Sequence, residues 1–322
     1  MSARAILFAS GVSCLAVALA CGSSGSDSDF GSSGGSSGTS GTSGGSSSFG
    51  GSSGASGASG GTSGTSGASG GSCNAPVDMY IMLDRSGSMG NDCNIGGTTN
   101  SKWCHAVNAL SGYFNSSSAK DQAAALQLFP VEGHTDALCT TGATYDTPVI
   151  PDVATEFTAL PTNAFDSLLN STKPDTGGGG SGTPTEGAIR GLDKYTEAHR
   201  RPGRVTIGIL ITDGDPNGCD EDLGHLSNLL QAHFTASTLR TYVIGMQGAT
   251  FNNLEKIAVG GNAPDHPNMV TGVPNACGNG AATCKSWNVG DGSPAAFIAI
   301  LAAIQSSANG CNPGGGTINP PR

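Results

Sequence analysis

The chain has 322 residues, a formal net charge of −10 and only 12% charged residues, with 52 glycines and 10 cysteines. That length allows one large domain or two modest ones. Acidity without a basic patch excludes nucleic acid as a partner class, and no run of like charge marks a solvated tail.

Residues 1–20 carry Arg4 and then an apolar run to Ala20, the pattern of a secretory signal peptide, too short for a membrane span. Its removal takes away one positive charge, so −10 becomes −11. Ala18-Leu19-Ala20 precedes Cys21, which resembles a bacterial lipobox except that Ala18 stands where leucine is usual. Cysteine parity favours lipidation of Cys21: of the 10 cysteines, Cys14 leaves with the signal and Cys21 takes lipid, so the rest can pair. Ordinary secretion is the alternative. Gly22 after the cysteine resembles outer-membrane sorting in Gram-negative bacteria. Residues 21–72 are almost wholly Gly, Ser, Thr and Ala, with too little apolar surface to offset the entropy of ordering. They are expected to form a disordered tether spanning on the order of 40 Å. A Gly-x-Ser-x-Gly at 34–38 lacks the strand and helix of a nucleophile elbow.

The folded domain is expected over 73–311, with a loose Gly/Pro-rich tail at 312–322. It opens on VDMYIMLDRSGSM, Val77 to Met89. The short apolar run predicts a strand buried on both faces, ending on Asp84. Asp84, Ser86 and Ser88 place three oxygens on one loop at the carboxyl end of that strand, which suits a hard divalent cation. Trp103, Val107, Leu110 and Phe114 predict a helix over Lys102–Asn115, and Ala123–Phe129 a strand stopped by Pro130. Thr147–Ile150 reads as an edge strand because of Pro148, and Asn163–Asn170 as a short helix. Thr183-Pro184-Thr185-Glu186 reads as a capping box opening a helix through Ala188, Leu192 and Tyr195. Val205–Thr212 is the clearest strand, ending on Asp213-Gly214. Helices follow at Asp220–Phe234 and Asn252–Val259, strands at Leu239–Gly245 and Ser286–Val289, and a Ser293-capped helix through Phe297, Ile300, Leu301 and Ile304. Alternating strands and helices predict a doubly wound, mostly parallel α/β sheet flanked by helices.

Asp84-x-Ser86-x-Ser88, then Thr183, then Asp213-Gly214, each at a strand end or helix start, resemble the metal-ion-dependent adhesion site (MIDAS) of von Willebrand factor type A (VWA) domains. The resemblance implies a Rossmann-like fold and Mg²⁺ at the site, with Mn²⁺ or Ca²⁺ as alternatives. It implies that Ser86, Ser88 and Thr183 are neutral direct ligands, while Asp84 and Asp213 act mainly through water. Thr185 is the reserve for Thr183. An ion so held takes a carboxylate from a partner's Asp or Glu, which implies an adhesion or interaction module rather than an enzyme. The partner is expected to be a protein or other envelope ligand, and contact with the membrane is through the lipid anchor alone. A metal-dependent hydrolase and a scaffold with a stabilising metal are the alternatives. Asp213-x-Asp215-x-Asn217-Gly218 also matches the start of an EF-hand loop, but its twelfth position is Gly224 and a strand precedes it.

Cysteines in an exported chain predict disulfides. Cys73 and Cys311 flank the domain and are expected to pair, because domain termini often lie close together. Cys93–Cys104 and Cys277–Cys284 are local candidates, leaving Cys139–Cys219 by elimination.

Overall fold

Strand β1, Val77–Asp84, is buried at every position and runs parallel to a neighbour on each side. The computed structural model describes residues 75–151, 156–175, 182–290 and 293–310. Residues 1–74, with the expected signal, Cys21, the expected tether and Cys73, and residues 311–322, with Cys311, lie outside the described residues. The other elements are α1 (Lys102–Phe114), β2 (Ala123–Phe129), α2 (Asp136–Thr141), β3 (Thr158–Ala159), α3 (Asp166–Ser171) and α4 (Thr185–Ala198). After these come β4 (Val205–Thr212), α5 (Leu223–Ser237), β5 (Arg240–Gly245), α6 (Phe251–Gly260), β6 (His266–Pro267), β7 (Thr283–Cys284), β8 (Trp287–Asn288) and α7 (Pro294–Ala308).

The main sheet has six strands in the order β3-β2-β1-β4-β5-β8, parallel throughout except for the antiparallel edge β3. This is the expected doubly wound α/β arrangement. Alternation along β1 divides the core. Val77, Met79, Ile81 and Leu83 meet Trp103 and Leu110 of α1 and Phe297 and Ile300 of α7. Tyr80 and Met82 join Ile189 and Leu192 of α4, Leu226 of α5 and Ile257 of α6 on the other face. Each such side chain, fully buried, contributes about 1.5–3 kcal/mol. Gly208 in β4 shows how closely a helix approaches: a Cβ there would lie 2.1 Å from a methyl of Leu192. Among the described residues, no helix is long and apolar enough to cross a membrane.

Two predicted features differ. The edge strand at Thr147–Ile150 shrinks to a bridge between Ile150 and Leu126, because Pro148 and Pro151 have no N–H to continue a ladder; β3 takes the edge. Helix α5 begins at Leu223 rather than Asp220, since the Asp222 side chain accepts from the N–H of Gly224 and His225 and fixes the cap. The six-residue helix α2 and the β6–β7 hairpin are too short for a periodic signal and were not expected. Three disulfides join Cys93 to Cys104, Cys139 to Cys219 and Cys277 to Cys284, as the sequence reading paired them. The fourth pairing, Cys73 with Cys311, falls outside the described residues.

Candidate metal site

The chain turns from β1 to β2 on one side of the sheet and reaches β4 on the other, so strand order reverses at β1. Ligand sites in open α/β sheets lie at the carboxyl ends of strands beside such a reversal. Asp84 is the last residue of β1, and Asp213 follows the last residue of β4. Both carboxylates therefore face one crevice, at 0% and 3% exposure.

Asp84 is held from two directions. Its Oδ1 accepts the Ser86 N–H at 2.7 Å, and its Oδ2 accepts the Thr212 hydroxyl at 2.6 Å. The Ser86 and Ser88 hydroxyls lie 2.9 Å apart, and Ser88 Oγ donates to Asp213 Oδ1 at 2.8 Å. The second Asp213 oxygen accepts from Lys102 Nζ at 2.5 Å. Burial first, and then the charge of Asp213, push the Asp84 carboxyl up to about 6, against the hydrogen bonds from Thr212 and Ser86. A buried carboxyl whose proton affinity is raised by burial and by a neighbouring acid marks a crevice that a cation would stabilise.

Thr183 completes the crevice by a route the sequence reading did not give. No Thr183–Glu186 capping box forms: the N-cap position falls on Pro184, without a side-chain cap. Glu186 turns to Arg190 at 2.8 Å and to the Asp220 N–H at 3.3 Å. The Thr183 N–H instead donates to Asn217 O at 2.8 Å, and Asn217 N–H returns to Thr183 O at 3.0 Å. This bridge sets the two loops side by side and frees the Thr183 side chain. A Cβ on Gly214 would sit 3.4 Å from Thr183 Oγ1 and 3.7 Å from Ser88 Oγ, so both hydroxyls border the space glycine leaves open. Thr185, the reserve candidate, hydrogen-bonds to Thr183 O instead. Gly182 holds φ +54°, and a Cβ there would meet Asn217 O at 2.6 Å, so only glycine permits the bridge.

The rival EF-hand reading fails on geometry as well. Asp215 turns outward to Thr250 and Asn253 at 3.2 and 3.1 Å, and Asn217 is committed to Thr183. Two clusters, His134 with Cys139 and Cys219 and His266 with Cys277 and Cys284, have ligand atoms within 4.8 Å, but their cysteines are spent in disulfides.

The donor set of three neutral hydroxyls and two carboxylates fits a hard divalent cation, and the Lys102 ammonium already occupies one carboxylate as a positive stand-in. Lys102 and Thr212 were not singled out from the sequence. Lys102 left one signal: it is the first residue of α1, where a cation opposes the helix dipole.

An acid-and-hydroxyl crevice at the strand-order reversal of a parallel sheet defines a class of α/β protein built to bind at one pole. The family model described as von Willebrand factor type A domain matches residues 78–275, and the chain belongs to that family. Among solved structures, proximal thread matrix protein 1 from the mussel byssus is similar at 15% identity and TM-score 0.35, over 57% of this chain and 42% of that one. A second structure of that mussel protein, with a zinc-occupied MIDAS motif, aligns at 15% identity and TM-score 0.34 over the same shares. The chain thus spans less than half the length of that protein. No curated protein matches.

Proposed function

We propose that this chain is a cell-envelope lipoprotein, anchored at the outer membrane through Cys21, whose VWA domain binds a partner through a divalent cation, Mg²⁺ first, with Mn²⁺ or Ca²⁺ as alternatives. The observation that carries the reading is that the Thr183 and Ser88 hydroxyls border Gly214 while Ser86 Oγ lies 2.9 Å from Ser88 Oγ, beside the buried carboxylates of Asp84 and Asp213. The three hydroxyls would hold the ion directly. Asp84 and Asp213 would orient those hydroxyls and supply the balancing charge.

When bound, the ion supplies an electrophilic position for a carboxylate. The chain's own residues decide where that position faces. Gly87 and Ser88 are exposed at the rim while both acids lie beneath, so a partner would approach the site from the side of that loop. An Asp or Glu offered by a protein or other envelope ligand fits that geometry. Binding needs no turnover, and the reading is of an interaction module and not an enzyme.

The test uses the full chain. Mg²⁺ at a hundredfold excess over Kd is expected to stabilise it by about 2.7 kcal/mol. Asp84→Ala removes the gain, and an equal shift in wild type and variant would falsify the assignment. Mg²⁺-dependent capture from an envelope extract, with Asp84→Ala as control, then identifies the ligand. Globomycin-sensitive labelling of Cys21 with a fatty-acid analogue tests the anchor.

A further inference from the structure

Lys102 opens α1, and its ammonium reaches into the crevice to meet Asp213 at 2.5 Å. The Asp213 side chain is fully buried, and that of Lys102 keeps 29% of its exposure. Lys102 also approaches the loop between β5 and α6, where a Cβ on Gly248 would lie 3.7 Å from its Nζ. The ammonium therefore stands beside the hydroxyl cluster, not out in solvent, at a helix start where the dipole disfavours a cation.

Charge counting gives this placement a consequence. With both acids ionised, Asp84, Asp213 and Lys102 leave the crevice one negative charge. A divalent ion makes it one positive charge, which a single partner carboxylate neutralises. Without the lysine the two acids and the ion already cancel, and a partner's acid would bring a surplus negative charge. Asp215 is exposed and turned away from the cluster to Thr250 and Asn253, so water screens its charge from the crevice.

We infer that Lys102 is a built-in counter-cation of this site, lowering its affinity for the metal ion and raising the affinity of the loaded site for an acidic ligand. The inference rests on the metal-site reading above and deepens it. The two effects have opposite signs, which a lysine serving only to prop Asp213 in place would not produce. Loss of a mere prop would loosen Asp213 and weaken metal binding.

The experiment measures Mn²⁺ affinity of the full chain from the electron paramagnetic resonance signal of free Mn²⁺. Acetate is then titrated into the Mn²⁺-loaded protein, and its displacement of bound water is read by water-proton relaxation. Lys102→Met keeps the stem and removes the charge. It is expected to bind Mn²⁺ about tenfold tighter, the effect of one unit charge on a divalent ion about 6 Å away at the dielectric constant of water. Acetate should bind the loaded variant several-fold more weakly, and Lys102→Arg should keep both constants near wild type. Unchanged or weaker Mn²⁺ binding in Lys102→Met, with Asp84→Ala still abolishing it, overturns the inference and leaves the metal site standing. Failure of the wild type itself to bind Mn²⁺ overturns both. Should Lys102→Met not fold, Lys102→Gln provides the same comparison.

Discussion

Asp84→Asn separates what the site costs the fold from what it does for the ion. Burial and the neighbouring Asp213 push the Asp84 carboxyl up to about 6, from 3.8 for an unperturbed aspartate. Each pH unit between the two is worth about 1.4 kcal/mol, so the ionised carboxylate costs the metal-free fold about 3 kcal/mol. Because the folded-state value is the higher one, the native state holds this proton more tightly than the unfolded chain. The cost is therefore complete above pH 6, shrinks as pH falls, and is gone below about 3.8. Asparagine is neutral and nearly isosteric. Its carbonyl can still accept from the Ser86 N–H, and its amide can donate to the Thr212 hydroxyl, which turns to accept. In EDTA at pH 8 the variant should melt about 6–12 °C above wild type, at roughly 2–4 °C per kcal/mol for a domain of this size. The difference should close by pH 4. Saturating Mg²⁺ should raise wild type and leave the variant unmoved. Thermal unfolding followed by circular dichroism at the two pH values reads all three. A variant less stable than wild type in EDTA at pH 8, or a gap that ignores pH, would refute the account of two acids confined without a cation.

Other perturbations test the frame around the site. Asp78→Ala strands Arg201 and Arg204, which hold that fully buried carboxylate at 2.5 and 2.6 Å; denaturant titration should show a loss of about 3 kcal/mol, with Mg²⁺ affinity unchanged because the cluster lies at the amino end of β1. Gly182→Ala places a Cβ at 2.6 Å from Asn217 O and keeps a positive φ, so stability should fall by about 1–3 kcal/mol, and isothermal titration should show weaker Mg²⁺ binding as Thr183 shifts. Replacing Cys139 and Cys219 together with serine opens a covalent link across 80 residues; loop-closure entropy sets the expected cost at about 4 kcal/mol, and a melting temperature equal to wild type would show that the link constrains little.

Several elements were legible because their signal is local. Continuous apolar runs identify β1, β2 and β4 within a residue, since strands buried on both faces need no alternation. The Ser293 cap of α7 was readable for the same reason, as its oxygen accepts from Ala296 N–H three residues on. The Thr183 capping box misled because local chemistry lost to a tertiary bond: Asn217 O, far along the chain, takes the N–H that Glu186 was expected to satisfy.

The sequence alone determined the fold class, the family and the acids and hydroxyls that make up the crevice. Residue type and spacing carry that information without reference to neighbours distant in the chain. Only the tertiary structure decided that Thr183 borders Gly214 rather than capping a helix, that Asp78 is a structural anion held by two arginines, and that Lys102 lies on Asp213. Those contacts join residues 31 positions apart (Thr183 and Gly214) or more than a hundred apart (Asp78 with the arginines, Lys102 with Asp213), and no periodicity encodes them. The sheet encodes them by bringing the ends of β1 and β4 together, and the charges then settle where burial leaves them a partner.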